Sequence, residues 1–423
     1  MRKHRTAVVL FTRDLRVHDN AALAAAVEQA ELVVPLFVLD DAVLAAFGAP
    51  NRLVFLSESL GDLDASLRER GGALVVRRGN VVAETFRAAL DLDADAVFVG
   101  EDVSAYAQER ERRLRQALAG ARIELEVFPG VTVVPPGEIA PGRGDHYRVF
   151  TPYWRRWREE PRRAVLPAPD RISVPEGTET GAVPLPGELV TGPTAAELPP
   201  GGETAGRLRL NDWLDDGLAR YAELADVLAA DATSRLSPYL HFGCVSAGEV
   251  VARALEHEGS ESFVRQLCWR DFNHQLLAAN PQLTTEDLRP RATAWRSDGA
   301  ALRAWKEGRT GYPLVDAGMR QLLREGFMHN RARLVTGSFL TKHLGIDWRE
   351  GAAHFFEHLV DGDVANNTAN WQWVAGTGTD SRPNRRLSPD RQAERFDPEG
   401  VYVSRYVAEL GTPDYPEPMA VVA

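Results

Sequence analysis

Residues 361–373, DGDVANNTANWQW, place two carboxylates, three asparagine carboxamides, one glutamine and two indoles within thirteen positions. Carboxylates accept hydrogen bonds, carboxamides donate and accept them, and indoles offer a flat apolar face for stacking. The stretch contains no phosphate-loop lysine, no CxxC pair and no serine-nucleophile elbow. Its chemistry therefore differs from that of hydrolytic machinery.

Tryptophan is concentrated in the second half of the chain, which holds seven of the nine indoles. These are Trp213, Trp269, Trp295, Trp305, Trp348, Trp371 and Trp373. One interpretation is core packing, because indoles bury much surface. The other is a set of aromatic surfaces that stack a planar ligand or pass electrons. Periodicity does not decide between the two.

Hydroxyl groups cluster in the segment TSRLS, residues 233–237, just ahead of a helical run. Hydroxyls and free amides at a helix start can bind a pyrophosphate. A plain helix cap would have the same sequence pattern, so both interpretations stay open here.

The elements that must position these groups fall into two classes. Short β-rich runs at 6–12, 32–40, 73–79, 95–101 and 123–130 alternate with alanine- and leucine-rich helical stretches. Nearly continuous apolar strands separated by helices indicate a parallel α/β sheet of Rossmann type, which binds ligands beyond the carboxyl ends of its strands. From about residue 204 the strand pattern disappears and helical periodicity takes over.

A stretch rich in proline and glycine separates the two halves. We predict an α/β domain over 1–135, an extended connection over 136–203 and an all-helical domain over 204–423.

Composition limits the function classes. The formal net charge is −11, so any nucleic-acid contact needs a local basic patch. Five arginines against two carboxylates in residues 381–395 supply a candidate. Two cysteines are too few for a disulfide framework or a zinc site, and they favour the reducing cytoplasm. We assign no metal ligands and expect no membrane span.

Seven ordered blocks together resemble the DNA photolyase/cryptochrome family, in particular microbial cyclobutane-pyrimidine-dimer photolyases. They are FTRDLRVHDN, TSRLSPYL, CWRDF, GRTGYPLVDAGMRQL, GFMHNRARL, DGDVANNTANWQW and FDPEGVYVSRYVAEL. The resemblance covers nearly the whole chain. It implies an N-terminal α/β domain and a C-terminal helical domain that holds FAD.

The resemblance assigns the polar residues of the helical half to FAD. Asp361 should pair with Arg333 beside the flavin ring, Asp363 should accept a hydrogen bond from flavin N3, and Asn367 should face N5. Aspartate at that last position would oppose an anionic reduced flavin, whereas an amide adds no charge. The phosphates and sugar would contact Tyr221, Thr233, Ser234, Arg235, Leu236 and Ser237.

The indoles also acquire roles by resemblance. Trp371, Trp348 and Trp295 match the chain that carries electrons to the flavin, with Trp295 at the surface end. Trp269 and Trp373 match the indoles on which a flipped-out dimer stacks. The remaining residues implied at the substrate or DNA backbone are Gln266, Arg270, Asn273, Asn330, Arg331 and Gln392.

The implied reaction is light-driven repair: excited FADH⁻ gives an electron to the dimer, the dimer splits and the electron returns. The chain would then be a carbon–carbon lyase, with FAD as cofactor and damaged DNA as partner, acting as a monomer. A second, antenna chromophore would be a methenyl-folate or a deazaflavin. Gln108 and Glu109 match a folate-contacting segment, and an exposed helix would give the same pattern.

Two other functions remain open at this point, a (6-4) photolyase and a cryptochrome-type photoreceptor. Gln266 stands where many dimer photolyases have glutamate, and glutamine there is familiar in (6-4) enzymes and animal cryptochromes. The two histidines that (6-4) enzymes use would fall at Asn330 and Leu334, and neither is histidine. Asn367 and Trp373 favour repair over a photoreceptor role.

Overall fold

A computed structural model describes residues 2–291 and 294–422. Its sheet has five parallel strands in the order β3-β2-β1-β4-β5. The strands are β1 His4–Phe11, β2 Ala30–Leu39, β3 Val75–Arg78, β4 Ala96–Gly100 and β5 Glu124–Phe128. Each lies within or beside a predicted run, so the parallel α/β prediction is confirmed.

Helices cover both faces of this sheet. They are α1 Ala21–Gln29, α2 Asp41–Phe47, α3 Pro50–Arg68, α4 Val81–Asp91 and α5 Ala105–Gly120. In β1, Val8 and Leu10 belong to one buried cluster with α4 and α5, while Val9 and Phe11 belong to the cluster on the other face. Successive strand residues point to opposite faces, so an apolar run is what a sheet buried on both sides requires.

The connection after the sheet holds two helices, α6 Phe150–Glu159 and α7 Pro186–Leu189. Its extended part lies against the α/β domain through backbone hydrogen bonds. Ser173 O accepts from Val33 N at 2.7 Å, and Thr180 O accepts from Val76 N at 2.7 Å. The connection is therefore docked along the first domain. The exact domain boundaries remain a proposal.

The rest of the chain is helical. Its α-helices are α8 Glu203–Asp212, α9 Leu218–Leu224, α10 Ser237–Phe242, α11 Ala247–Ala254, α12 Glu261–Ala279, α13 Gly299–Lys306, α14 Pro313–Glu325, α15 Asn330–Ser338, α16 Trp348–His358, α17 Val364–Ala375, α18 Pro389–Phe396 and α19 Val401–Tyr406. Five-residue π-helical segments, Trp213–Gly217 and Phe339–His343, adjoin α8 and α15. Within the described ranges, no helix is long and apolar enough to cross a membrane.

A half-buried arginine joins the two halves. Arg13, just after β1, donates to Asp363 at 2.6 Å and to Asp102 at 3.3 Å. Burial alone would lower the pKa of Arg13, but the two carboxylates raise it above its usual range. Gly243 permits the close approach: its φ is +68°, and a Cβ there would lie 1.9 Å from the Arg13 carbonyl oxygen. The junction thereby fixes the helical domain against the carboxyl ends of the strands.

Candidate flavin, tryptophan and DNA sites

The predicted ion pair between Arg333 and Asp361 is present. The guanidinium, on α15, donates to both carboxylate oxygens, at 2.9 and 3.2 Å. Asp361 lies in the short turn between α16 and α17 and is 9% exposed. A two-point bond of this kind fixes both orientation and charge.

Phe327 connects this pair to the predicted phosphate segment. The guanidinium of Arg235 lies 4.6 Å from the Phe327 ring centre, and that of Arg333 lies 5.5 Å from it. Arg235 also donates to Asp231 and Glu325, each at 2.9 Å. Its φ of +50° turns the chain sharply at this point. The two predicted halves of the FAD site are therefore neighbours in space.

The segment 233–237 is less of a helix cap than its hydroxyls indicate. The α10 helix that follows has only six residues, and no side chain caps its start. Arg209 holds the carbonyls of Thr233 and Ser234, at 3.1 and 2.8 Å. Among the described residues the buried Oγ1 of Thr233 has no hydrogen-bond partner. An orphaned hydroxyl beside an arginine-rich turn fits a bound phosphate or sugar.

Three further predicted flavin contacts are Tyr221, Leu236 and Asn367. Burial raises the pKa of Tyr221, which packs edge-on against Trp213 and Phe263, to about 12. Leu236 is 1% exposed. Asn367 donates from Nδ2 to Ala352 O at 2.9 Å, so its Oδ1 is the end that remains for flavin N5. These roles stay proposals.

Asp363 has a structural role that the sequence did not reveal. Its Oδ1 accepts from the Asn366 backbone and amide, both at 2.8 Å, and its Oδ2 accepts from Arg13. Burial raises its pKa, but His274 and Arg13 lower it well below the usual range. A bond from flavin N3 would be an additional one, which a carboxylate with several lone pairs can still accept.

The predicted electron chain lies in one apolar core. Trp371 and Trp348 are 3% and 1% exposed, and the half-buried Trp295 packs against the same core, towards the surface. Trp348 Nε1 donates to Asp287 at 2.9 Å. Trp305, which we left without a role, lies with its ring centre 6.1 Å from that of Trp371.

Trp373 lies beside the arginine-rich segment 381–395. Trp373 is half-buried on α17, and the Arg385 guanidinium lies 5.7 Å from its ring centre. Residues 389–395 of the segment lie in α18, where the buried Oε1 of Gln392 has no hydrogen-bond partner among the described residues. The other predicted substrate indole, Trp269, stacks one face on Phe150 with centres 3.6 Å apart.

Two predicted substrate contacts need correction. Arg270 cannot reach DNA, because its guanidinium is buried and donates to Val131 O at 2.5 Å and Leu240 O at 3.3 Å. Asn273 is 5% exposed and donates to Asn366 at 2.9 Å, which places it inside the fold. Arg331 pairs with the exposed Asp226 at 2.6 and 3.2 Å, and its DNA contact stays a prediction. Gln266 and Asn330 are exposed, as a DNA contact requires.

A cavity of about 240 Å³ lies between the two halves of the chain. Its walls include the ends of β1, β2 and β4 and parts of α5, α16 and α17. Arg110 lines it and is 7% exposed. Its Nε and Nη2 have no hydrogen-bond partner among the described residues, although Nη2 lies 3.7 Å from Glu111 Oε1. Gln108 and Glu109 are exposed and do not line it, so a folate that contacted them would bind outside this cavity.

Comparison with known proteins identifies the family. The DNA photolyase family model matches residues 7–171, and the model for the FAD binding domain of DNA photolyase matches residues 263–418. The chain belongs to the DNA photolyase family. A deoxyribodipyrimidine photo-lyase of Streptomyces griseus is 55% identical, over 96% of this chain and 90% of that protein.

Solved structures of photolyase-family proteins share the fold. A photolyase from Sulfolobus tokodaii, described with two FAD molecules and a novel light-harvesting cofactor, has a TM-score of 0.87 and 30% identity, covering 98% of this chain and 96% of that one. A Synechocystis cryptochrome has a TM-score of 0.91 and 28% identity with the same coverage.

Within this photolyase-family chain, sequence reasoning missed Arg13 and Arg110. Arg13 lies within the motif FTRDLRVHDN, but the resemblance assigned it no role. Arg110 lies on the buried stripe of α5 with Ala107, Leu114 and Leu118. A lone arginine at an apolar position of a helix is the signal that would have marked it.

Proposed function

We propose that this chain uses light to repair cyclobutane pyrimidine dimers in DNA. The observation that carries the proposal is the 55% identity to a deoxyribodipyrimidine photo-lyase over 96% of the chain. The FAD-binding family match over 263–418 supports the cofactor. Bound reduced FAD supplies, under light, the electron that opens the dimer. The protein contributes binding, orientation and exclusion of water.

The chain's own groups divide that work. The Arg333–Asp361 pair is neutral as a unit, so it can flank a flavin ring without adding net charge. Asn367 offers an uncharged amide oxygen at the predicted N5 position. Trp371, Trp348 and Trp295 would carry electrons inward when the flavin is oxidised. The buried orphaned atoms of Thr233 and Gln392 supply polar contacts that the protein leaves unused.

DNA would contact the face that carries Trp373 and the arginines of 381–395. These arginines are exposed, in contrast to Arg270. Phosphate contacts position a duplex without reading its sequence, which suits an enzyme that recognises damage. The damaged bases would stack on Trp373 and on the free face of Trp269.

The cavity between the domains is the best candidate antenna site. It lies beyond the carboxyl ends of parallel strands, where such sheets bind ligands, and its walls are mostly apolar. Arg110 can donate to the carbonyl oxygens of a flat heterocycle. Because Gln108 and Glu109 face away, we favour a deazaflavin or second flavin over a methenyl-folate.

Reconstitution tests the antenna site. We expect Arg110→Leu to lose a deazaflavin during gel filtration while FAD is retained, because a buried ring carbonyl loses its donor. Arg112→Leu is the matched control, since Arg112 is exposed and pairs with Glu109 on the same helix. Equal retention by both variants would exclude this cavity.

We further propose that the chain acts as a monomer in the cytoplasm. Its two cysteines, Cys244 and Cys268, are free and buried, which suits a reducing compartment. Sedimentation of the FAD-loaded protein with and without a short damaged duplex measures the oligomeric state directly.

The decisive experiment is repair of a defined oligonucleotide. The reduced protein is illuminated with a duplex that contains one thymine dimer, and in parallel with one that contains a (6-4) lesion. We expect dimer loss only in the light, with the (6-4) duplex unchanged. Loss of the (6-4) lesion alone would reassign the substrate, and no light-dependent repair of either would favour a photoreceptor.

A further inference from the structure

The last turn of α16 carries three side chains that none of these roles uses. A ring nitrogen of His354, a ring nitrogen of His358 and a carboxylate oxygen of Glu357 lie within 4.8 Å of one another. Residues three and four apart share a helix face, and two histidines at this spacing are a common zinc-binding arrangement. We propose that His354, Glu357 and His358 bind a zinc ion, with water as the fourth ligand.

The burial and surroundings of His354 suit a metal ligand. It is 5% exposed, and its buried Nε2 has no hydrogen-bond partner among the described residues. Its ring centre lies 4.5 Å from that of His358 and 5.7 Å from that of Trp305.

The other two proposed ligands lie near the surface, so the ion can reach the site from solvent. Glu357 is exposed and His358 is half-buried, so the cluster opens to solvent on one side. Tetrahedral zinc with bonds of about 2.0–2.2 Å needs ligand atoms roughly 3.4 Å apart. The exposed Glu357 side chain can close this gap by changing rotamer. Lys306 opposes the ion, because its charge acts on both histidines.

A second cluster provides an internal comparison. His4, Glu124 and Glu126 also lie within 4.8 Å of one another. There the ammonium of Lys3 already bridges both carboxylates, at 2.6 and 2.9 Å. A cation of the protein itself fills that position. The α16 cluster has no such bridging cation among the described residues.

The site lies where the two domains meet. Asn51 of α3 donates to His358 O at 2.6 Å, Arg52 donates to Leu359 O at 3.0 Å, and Phe356 lines the cavity between the domains. Zinc would rigidify the helical turn whose carbonyls Asn51 and Arg52 of the first domain bind.

The test uses tag-free, FAD-loaded protein in the dark. The protein is stripped with EDTA and dialysed against graded zinc, and bound metal is measured by mass spectrometry. We expect about one zinc per chain and a higher unfolding temperature with zinc, because an ion that binds only the folded state stabilises it. Absence of bound zinc would overturn the proposal.

Four variants locate the ion. His358→Ala and Glu357→Gln, both at accessible positions, should weaken zinc binding by at least about tenfold, and FAD content reports that each variant folds. Lys306→Gln should strengthen binding a few-fold by removing a repulsive charge. His257→Ala, at an exposed histidine between Glu256 and Glu258, should change nothing. Full binding in His358→Ala, or loss in His257→Ala, would contradict the site.

Discussion

Whether a polar side chain has spare hydrogen-bonding capacity separates ligand contacts from structural ones in this protein. Arg270 and Asn273 are polar and near the predicted pocket, yet the protein uses their donors. Thr233 and Gln392 each have a buried side-chain oxygen with no hydrogen-bond partner among the described residues. Leaving such an atom unpaired costs roughly 1–3 kcal/mol, so a ligand that pairs with it gains affinity.

The inner indole of the chain gives the first prediction. Trp371→Phe should abolish most photoreduction of oxidised flavin, because phenylalanine cannot donate the electron. Repair by chemically reduced enzyme should stay close to that of the parent protein. Flavin absorbance under illumination measures the first, and dimer loss measures the second.

Trp305→Phe is the matched control, since Trp305 is equally buried and touches Trp371. It should leave photoreduction near the parent rate. If Trp371→Phe photoreduces like the parent protein, Trp371 is core packing.

Lesion recognition gives the second prediction. Trp373→Ala should reduce discrimination between damaged and undamaged duplex by roughly 1–3 kcal/mol, the usual value of stacking per base. Arg391→Ala, at an exposed position of α18, should weaken both duplexes together and flatten the salt dependence. Titration of both duplexes at two salt concentrations separates the effects. Unchanged discrimination in Trp373→Ala would place the pocket elsewhere.

Resemblance predicted which residue types stand at the site better than it predicted what each one touches. The Arg333–Asp361 pair follows from two opposite charges that the family motif assigns to each other. Arg270 stands in the same motif as Trp269, one position along α12. That single step turns its side chain about 100° around the helix, towards Val131 and Leu240, and only the tertiary fold shows what lies there.

At the level of elements, helix α16 contributes to three parts of the molecule: the predicted electron chain, the predicted flavin site and the cavity between the domains. Trp348 stands at its first residue, Ala352 O holds Asn367, and Phe356 faces the cavity between the domains. It packs closely on α17, because Gly351 has no side chain: a Cβ there would lie 2.2 Å from the Trp371 ring. The helix pair thus sets where the inner indole lies.

The third prediction follows from this contact. Gly351→Ala should destabilise the protein by about 1–3 kcal/mol through overpacking, despite the better helix propensity of alanine, and should slow photoreduction by displacing Trp371. Denaturant unfolding at fixed FAD concentration measures the stability.

Gly61→Ala in α3 serves as control, since a Cβ there meets nothing within 4 Å. It should be neutral or stabilising by up to about 1 kcal/mol. A Gly351→Ala variant as stable as Gly61→Ala would mean that α16 and α17 separate easily.

The strands were predictable because their signal is local. Each predicted run overlaps a strand of the sheet, since an apolar β-rich segment needs no knowledge of distant residues. The hydroxyl-rich turn at 233–237 was harder. Its hydroxyls cap no helix, because Arg209 organises it through carbonyls. This contact depends on how α8 packs against the turn, and the residues of the turn alone do not predict that packing.

For the whole molecule, the buried histidines set the response to acid. Burial lowers the pKa of His329 to about 4, well below the value near 6.5 of an unfolded chain. Between these values the unfolded state binds one more proton than the folded state, so stability falls as pH falls. Asp363 acts in the same direction at still lower pH, because its folded-state pKa is depressed.

The fourth prediction isolates one histidine. His329→Asn should reduce the slope of unfolding free energy against pH by about 1.4 kcal/mol per pH unit between roughly pH 6 and 4.5. Asparagine can keep the helix cap that His329 gives to Arg331 N. Unfolding curves at several pH values, with EDTA and constant FAD, measure the slope. An unchanged slope would mean that His329 is protonated in the folded protein.

The docked connection between the domains also bears on how light would be harvested. The backbone bonds at Ser173 and Thr180, together with the Arg13 junction, leave the long connection little freedom to act as a hinge. Two pigments seated on either side of that junction would keep one separation and one mutual orientation. Resonance energy transfer depends steeply on both quantities. Its efficiency would therefore be set once, when the chain folds, and remain the same through every cycle of DNA binding and release.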